Sequence, residues 1–503
     1  MLTYSLQDTG NMPLYEYLYK RIRDDILNGK ILPGEKLPSK RTFAKHLGIS
    51  TITVENAYAQ LATEGFIYSI PKKGFYVSDM KNFALYNQRA ADLLGEDAHT
   101  LGEKDMSLTH GKKGEEVFNI HPRHYHYDFA SNQTNKDSFP FRRWAKITRE
   151  VLSDDQEELM INPISGGMRE LRESIAEYLN GFRGLDVSPE QIVVGAGTEY
   201  LYGLLIHLLG FDKVYAIENP GYRKIHDIYD AYHVRQVLIP LDKKGIDMKR
   251  LSQSEADIVH VTPSHHFPTG ITMPVSRRYE LLNWAGDRKG RYIIEDDYDS
   301  EFRMNVRPIP SLCSIDQMER TIYINTFTKT LSSTIRVSYM VLPRHLIRDF
   351  YQRLSFFSCT VSTFEQLTLA RFIGQGYFEK HLNRMRNAYR RKRNLVLDTI
   401  RKSPIAAVSS ISEQDSGLHF LLHLDLSCSD ETFVRMAHKA GIRINSLESY
   451  YIEPHAPSKE ELHEFVINYS SMKDEKIGPA VDALYHLVCQ ANSGDSEDSP
   501  NVV

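Results

Sequence analysis

Two short runs of β-branched and aromatic residues, 322–326 and 337–342, bracket a polar loop in TIYINTFTKTLSSTIRVSYMVLP, residues 321–343. Both are too short for helices and too apolar for surface loops, so each is predicted as a core strand. The loop between them holds a single lysine, Lys329, at the end of a sheet. Poor solvation there disfavours the ammonium form and lowers the amine's pKa. A neutral lysine can form a Schiff base with an aldehyde. Arg336 and the hydroxyls of Thr326 and Thr328 lie within a few residues and could hold a phosphate. The same residues also suit a surface loop with one exposed lysine, so other segments must decide.

With 503 residues the chain is expected to hold more than one domain, at ~100–200 residues each. No apolar run reaches the ~18 residues of a membrane span, and the first residues lack the apolar core of a signal peptide. Cys313, Cys359, Cys428 and Cys489 are far apart, show no metal-ligand spacing, and read as reduced thiols of a cytoplasmic protein. The net charge of −4 conceals an asymmetry: residues 1–78 carry ten Lys/Arg against seven Asp/Glu. A basic module on an acidic body points to double-stranded DNA as a partner of the module alone.

Within that module Leu14, Leu18, Ile22 and Ile26 repeat at helical spacing, predicting a helix over 13–28. Ser39 suits the N-cap of a short helix stopped by Gly48, and Ser50 the N-cap of a third. In the third helix Val54, Ala57, Tyr58 and Leu61 form the apolar stripe. Thr51, Thr53, Asn56 and Gln60 are left on the opposite face, where short polar groups can meet base edges and phosphates. FIYSIPKKGFYVS then predicts a hairpin with Lys72 and Lys73 at its tip. Together these make a winged helix-turn-helix. LPSKRTFAKHLGISTITVENAYAQLATEGFI resembles the GntR-type DNA-binding domain over its whole length. The resemblance implies that Ser39, Arg41, Ser50, Thr51, Thr53 and Lys73 face DNA. Lys40 stands where that family often has an acid and Thr51 where it often has an arginine, so the operator preference is not copied from relatives.

Residues 79–125 have scattered charge and little periodicity, and read as a linker with a short helix near 84–94. Near its end lie His110, His121, His124 and His126, without the second ligand cluster a metal site needs. From about Asp128 strands and helices alternate, as in an α/β domain with a mostly parallel sheet covered on both faces. QIVVGAG runs into TEYLYGLLIHLLG, a strand-to-helix turn whose free N–H groups suit an anion. Gly195, Ala196, Gly197 and Thr198 are cradle candidates, although close strand–helix packing explains the glycines equally well. Further strands are expected at 214–217, 237–239 and 258–261. In RYIIEDDYDSEFR, Glu295, Asp296, Asp297, Asp299 and Glu301 crowd one strand's C-terminal end, where open α/β sheets bind ligands. Such carboxylates repel unless a cation sits among them, either a metal or a protonated heterocyclic nitrogen.

NPGYRK, TPSHHFPTG, IIEDDYDSEFR and NTFTKTLSSTIR, in this order behind a GntR-type head, resemble the MocR/GabR family. That family joins a winged-helix head to a body like the fold-type-I aminotransferases. The resemblance covers nearly the whole chain and implies pyridoxal 5′-phosphate as cofactor. It implies that Lys329 forms the internal aldimine and Asp296 pairs with the pyridine nitrogen. Tyr298 would donate to the ring's phenolic oxygen with help from His265 or His266, and Tyr222 would stack on the ring. Gly197, Thr198, Thr326, Thr328 and Arg336 would bind the phosphate. Tyr222 and the histidines equally suit structural turns. A body of this kind implies a homodimer whose heads read two half-sites.

Relatives with full transaminase chemistry usually carry an arginine clamp for the substrate carboxylate where this chain has Val466, and commonly an Asn where it has Phe267; an arginine elsewhere, such as Arg443, is the candidate substitute for the clamp. A Schiff-base site with its clamp altered suits sensing better than turnover. The expected function is a transcriptional regulator whose signal is the cofactor itself or an amine. An active aminotransferase that keeps its DNA head, and a repressor whose body is only a dimerisation platform, are the alternatives. The tail from 491, acidic and Ser-rich, is expected to be disordered.

Overall fold

Leu18, Ile22 and Ile26 lie on one helix face, and the computed structural model buries all three at the centre of a three-helix head. The structure describes residues 3–4, 12–79, 125–131, 138–302, 309–412, 417–453 and 462–493. The helix expected near 84–94 and the histidines His110, His121 and His124 lie outside them. The chain divides into two compact units, Met1–Pro122 and Arg123–Val503.

In the head, α1 (Leu14–Leu27), α2 (Lys40–Leu47) and α3 (Thr51–Thr63) precede a hairpin of β1 (Ile67–Ile70) and β2 (Gly74–Val77). The Ser39 hydroxyl accepts from Thr42 N–H at 3.1 Å, and Ser50 from Thr53 N–H at 3.1 Å, so each serine caps its helix. Gly48 ends α2 at φ +68°, a left-handed conformation that costs glycine nothing. The stripe Val54, Ala57, Tyr58 and Leu61 is buried against Leu18 and Phe43.

The second unit contains β3 (Tyr127–Asp128), β4 (Ile192–Gly195), β5 (Val214–Asn219), β6 (Arg235–Asp242), β7 (Gly245–Ile246) and β8 (Ile258–Val261). It continues with β9 (Tyr292–Asp296), β10 (Thr321–Thr326) and β11 (Ser338–Val341). Eight of these form one sheet in the order β4-β11-β10-β9-β8-β5-β6-β7. The run β10, β9, β8, β5, β6 is parallel, whereas β11 is antiparallel to both its neighbours and β7 to β6. Successive residues Tyr339 and Met340 enter different cores, as a strand covered on both faces requires. The strands expected at 214–217, 237–239 and 258–261 are β5, β6 and β8, the first two longer at both or one end than the apolar runs alone suggest.

A smaller sheet follows, built from β12 (Ser409–Ser412), β13 (His419–Leu424), β15 (Asn445–Ser446) and β16 (Glu464–Asn468) in the order β12-β13-β16-β15. Helices Tyr377–Lys402 and Asp474–Asn492 cover it through Val396, Leu397, Leu484 and Val488. The latter helix passes the boundary expected at 490 because Ala491 is still buried against this core. At the start of the unit β3 pairs in parallel with β14 (Ile442–Arg443), and Asn468 N–H donates to Phe129 O at 2.7 Å. Among the described residues no helix is long and apolar enough to cross a membrane.

Candidate functional site

The loops leaving β4, β5, β8, β9 and β10 converge at the C-terminal edge of the parallel strands, where an open α/β sheet has no side chains to fill the crevice. Lys329 stands two residues after Phe327, whose N–H closes the turn on Val337 O at 3.0 Å. It keeps part of its surface exposed, yet the protein crowded around the amine lowers its pKa to about 8, against a smaller opposing pull from Asp299. At pH 7.5 a pKa of 8 leaves about a quarter of the amine neutral, against roughly a thousandth for an ordinary lysine. The sign is therefore definite. Covalent capture of an aldehyde should speed up as pH rises through about 8 and level off beyond it, rather than climb on towards 10.5. Stopped-flow absorbance against pH measures this, and a rate still rising steeply at pH 9.5 would contradict it.

Asp296 closes β9 and is buried. Its Oδ2 accepts from the Tyr202 hydroxyl and lies 3.8 Å from His260 Nε2. Its Oδ1 is buried without any hydrogen-bond partner, an arrangement that costs free energy unless a donor arrives. A protonated ring nitrogen is such a donor. Tyr298 donates its hydroxyl to His265 O at 3.2 Å and lies 3.5 Å from His265 Nδ1. Burial, and the carboxylates around it, raise the Tyr298 pKa well above its ordinary value and keep it a donor. Of the two candidate histidines it is His265 that meets Tyr298. His266 turns aside, with Nδ1 2.7 Å from Thr269 Oγ1 and Nε2 3.5 Å from Glu218. Tyr222 is half exposed and edge-on to Phe267 at 6.0 Å.

On the other side Thr326 Oγ1 lies 2.8 Å from Thr328 Oγ1 and accepts from Ser338 Oγ at 2.9 Å. Gly197 adopts φ +94°, and a Cβ there would strike the Arg336 guanidinium and the Glu199 carboxylate. Only glycine leaves room at this turn. Helix Thr198–Leu209 starts beside it and aims its free N–H groups into the same space. Thr198, Thr326, Thr328, Arg336 and Gly197 are thus brought together, and the cradle fits a phosphate. Arg336 and Lys224 both contact Glu199, which the sequence reading did not single out.

The positive charge expected among the crowded carboxylates is in part the protein's own, because two of the five are met by buried arginines rather than by a metal or a heterocyclic nitrogen. Arg183 lies 2.7 Å from Asp297, and Arg278 lies 3.6 Å from Glu295, all four side chains buried. Glu295 also accepts from the N–H groups of Leu312 and Cys313 at 2.8 and 2.9 Å. Asp299 holds His265 at 2.9 Å, and Glu301 accepts from Tyr178 at 3.2 Å. Oδ1 of Asp296, Oδ1 of Asp297 and Oε2 of Glu301 are buried without a hydrogen-bond partner, and of the three residues Asp296 is the one that ends β9 with no arginine beside it. Among the described residues no group of His, Cys, Asp and Glu is arranged to hold a metal ion.

On the head, Ser39, Arg41, Ser50, Thr51, Asn56, Lys72 and Lys73 are exposed, and Thr53 is partly so. Ser39 and Ser50 spend their hydroxyls on capping. Lys40 is paired with Glu55 at 2.6 Å. Ile52, 69% exposed on the first turn of α3, was missed by sequence reading, although an apolar residue off the buried stripe is itself a signal. An apolar side chain on that face is the kind that meets a thymine methyl.

Head and site together define a winged-helix DNA-binding module joined to an aminotransferase-like body. Residues 126–484 match the family described as aminotransferase class I and II, and residues 14–77 the gntR family of bacterial regulatory proteins. The chain is 36% identical over 458 residues to the uncharacterized HTH-type transcriptional regulator YdeL of Bacillus subtilis (strain 168), covering 91% of this chain and 94% of that one. It is 28% identical to the probable rhizopine catabolism regulatory protein MocR of Rhizobium meliloti, over 95% of this chain and 94% of the relative. In fold it is similar to Pyrococcus horikoshii kynurenine aminotransferase, with a TM-score of 0.66, 21% identity, and cover of 79% of this chain and 99% of that one. The chain belongs to the MocR-type family of HTH transcriptional regulators, in which a gntR-type head is fused to an aminotransferase-like domain.

Proposed function

We propose that this protein is a DNA-binding transcriptional regulator whose body binds pyridoxal 5′-phosphate and reads the cofactor itself as the signal. The bound group supplies an aldehyde for Lys329 and an electron-withdrawing ring. The chain's own residues do the rest: Asp296 keeps a proton on the ring nitrogen, Tyr298 donates to the ring oxygen, and the Gly197–Thr198 turn with Arg336 holds the phosphate.

The observation carrying the sensing role is at Val466. Where catalytic relatives keep a carboxylate clamp, Val466 is buried with Leu421 and Leu447, and Phe267 and Tyr450 pack onto them. An amino-acid carboxylate set against that cluster would lose its water without gaining a cation. The site therefore favours the cofactor over an amino-acid substrate. The test takes protein stripped of cofactor and a DNA sequence selected by it from a random pool. Adding pyridoxal 5′-phosphate should change DNA affinity, while no amino acid is converted to keto acid over repeated turnovers. Unchanged affinity, or steady keto-acid formation, would sink this reading.

The chain acts as a homodimer in this proposal. Phe141, Met160, Ile161 and Phe356 are each more than 60% exposed, apolar surface that a second copy would cover. Two heads then contact two half-sites, and the cofactor matters only if it binds two arrangements of them with different affinity. Replacing Lys72 and Lys73 together by alanine should weaken binding to all sequences alike and flatten the salt dependence by about two counterions. A change in sequence preference instead would mean that the hairpin reads bases.

A further inference from the structure

Glu199 is the second residue of helix Thr198–Leu209, inside the turn that would receive a phosphate. Its two carboxylate oxygens are divided between two cations, Oε1 on Lys224 and Oε2 on Arg336. Burial works against its charge, yet Lys224 and Arg336 hold its pKa below the ordinary carboxylate value. Glu199 keeps about a quarter of its side-chain surface, while Arg336 and Lys224 are about half exposed, so an arriving anion can reach both cations. The Gly197 backbone, with no side chain, leaves Arg336 and Glu199 within contact distance of the same point.

We infer that the Glu199 carboxylate is a built-in competitor for the phosphate: it occupies Arg336 and Lys224 and thereby sets how much pyridoxal 5′-phosphate the protein needs before it binds. The inference rests on the proposed sensing role and goes beyond it by naming the residue that sets the threshold. A phosphate carries up to two negative charges, and Glu199 opposes it twice. It repels the incoming anion at close range, and it holds the guanidinium that the anion requires. A neutral side chain of the same shape at the helix N-terminus would leave the dipole and both cations to the ligand. A sensor needs this brake more than an enzyme does, because a site saturated at every cofactor level reports nothing.

The experiment compares the parent with Glu199→Gln, both stripped of cofactor, by fluorescence or absorbance titration without DNA. Two probes are used, pyridoxal 5′-phosphate and pyridoxal, which lacks the phosphate. The expected result is a roughly tenfold tighter dissociation constant for pyridoxal 5′-phosphate in Glu199→Gln, with pyridoxal unchanged. In a Lys224→Met, Arg336→Gln background the same substitution should give a clearly smaller gain, since only the direct repulsion is left to relieve. Weaker or unchanged binding of pyridoxal 5′-phosphate by Glu199→Gln overturns the inference and makes Glu199 an aligning residue for the two cations. An equal gain for both probes overturns it as well, because the effect would not pass through the phosphate. Failure of the sensing role itself is separable: the cofactor would bind as described here and leave DNA affinity unaltered.

Discussion

Lys329→Ala protein is expected to bind pyridoxal 5′-phosphate about a hundredfold more weakly, a loss of ~3 kcal/mol, and to retain no covalently attached label after borohydride treatment. The reason lies in the local environment. Lys329 is the amine the crevice holds, with a pKa lowered to about 8 by burial. The phosphate cradle and Asp296 remain in the variant, so residual reversible binding is expected rather than none. DNA binding in the absence of cofactor should survive, because Lys329 and the head belong to separate compact units. The cofactor's effect on DNA should disappear. A variant that stays yellow and keeps that effect would remove the basis for assigning this lysine any role in sensing.

Arg183→Met should cost about 3–5 kcal/mol of stability, the range found when one partner of a buried ion pair is removed. Arg183 closes helix Arg169–Arg183, and its guanidinium lies 2.7 Å from Asp297, which also accepts from the Tyr323 hydroxyl at 2.7 Å. Burial opposes the charge on Asp297, and Arg183 is the main influence holding its pKa below the ordinary value. Without the arginine the carboxylate is left ionised in the core, or takes up a proton at neutral pH. The double variant Arg183→Met, Asp297→Leu should recover most of the loss, since two matched apolar groups replace a pair that gains little over them. Denaturant melts of the single and double variants decide this. A single variant within 1 kcal/mol of the parent would mean that Asp297 does not depend on Arg183.

The placement of the candidate residues was legible where it is local. Lys329 lies between two short core strands, and Asp296 ends a third, so a strand reading alone puts both at one edge of a sheet. The winged-helix head was legible for the same reason, since Ser39, Gly48 and Ser50 each mark a helix end within a few residues. What could not be read were partners distant in sequence. Arg183 lies more than a hundred residues from Asp297, and nothing in the local pattern pairs them. The acidic run therefore read as one unsatisfied cluster, when the alternation of β9 sends Glu295 and Asp297 to the side away from Asp296. Glu199 was hidden differently. A glutamate in a helix's first turn is so ordinary a choice that its two cations, Lys224 and Arg336, had to be seen in place.

The first strand of the second unit, β3, is hydrogen-bonded not to the large sheet but to β14, which leads directly into the smaller sheet that carries Val466. The start of the second unit is therefore tied to the layer that carries Val466, and a tilt of that layer would take β3 with it, with no need to deform the eight-stranded slab behind it.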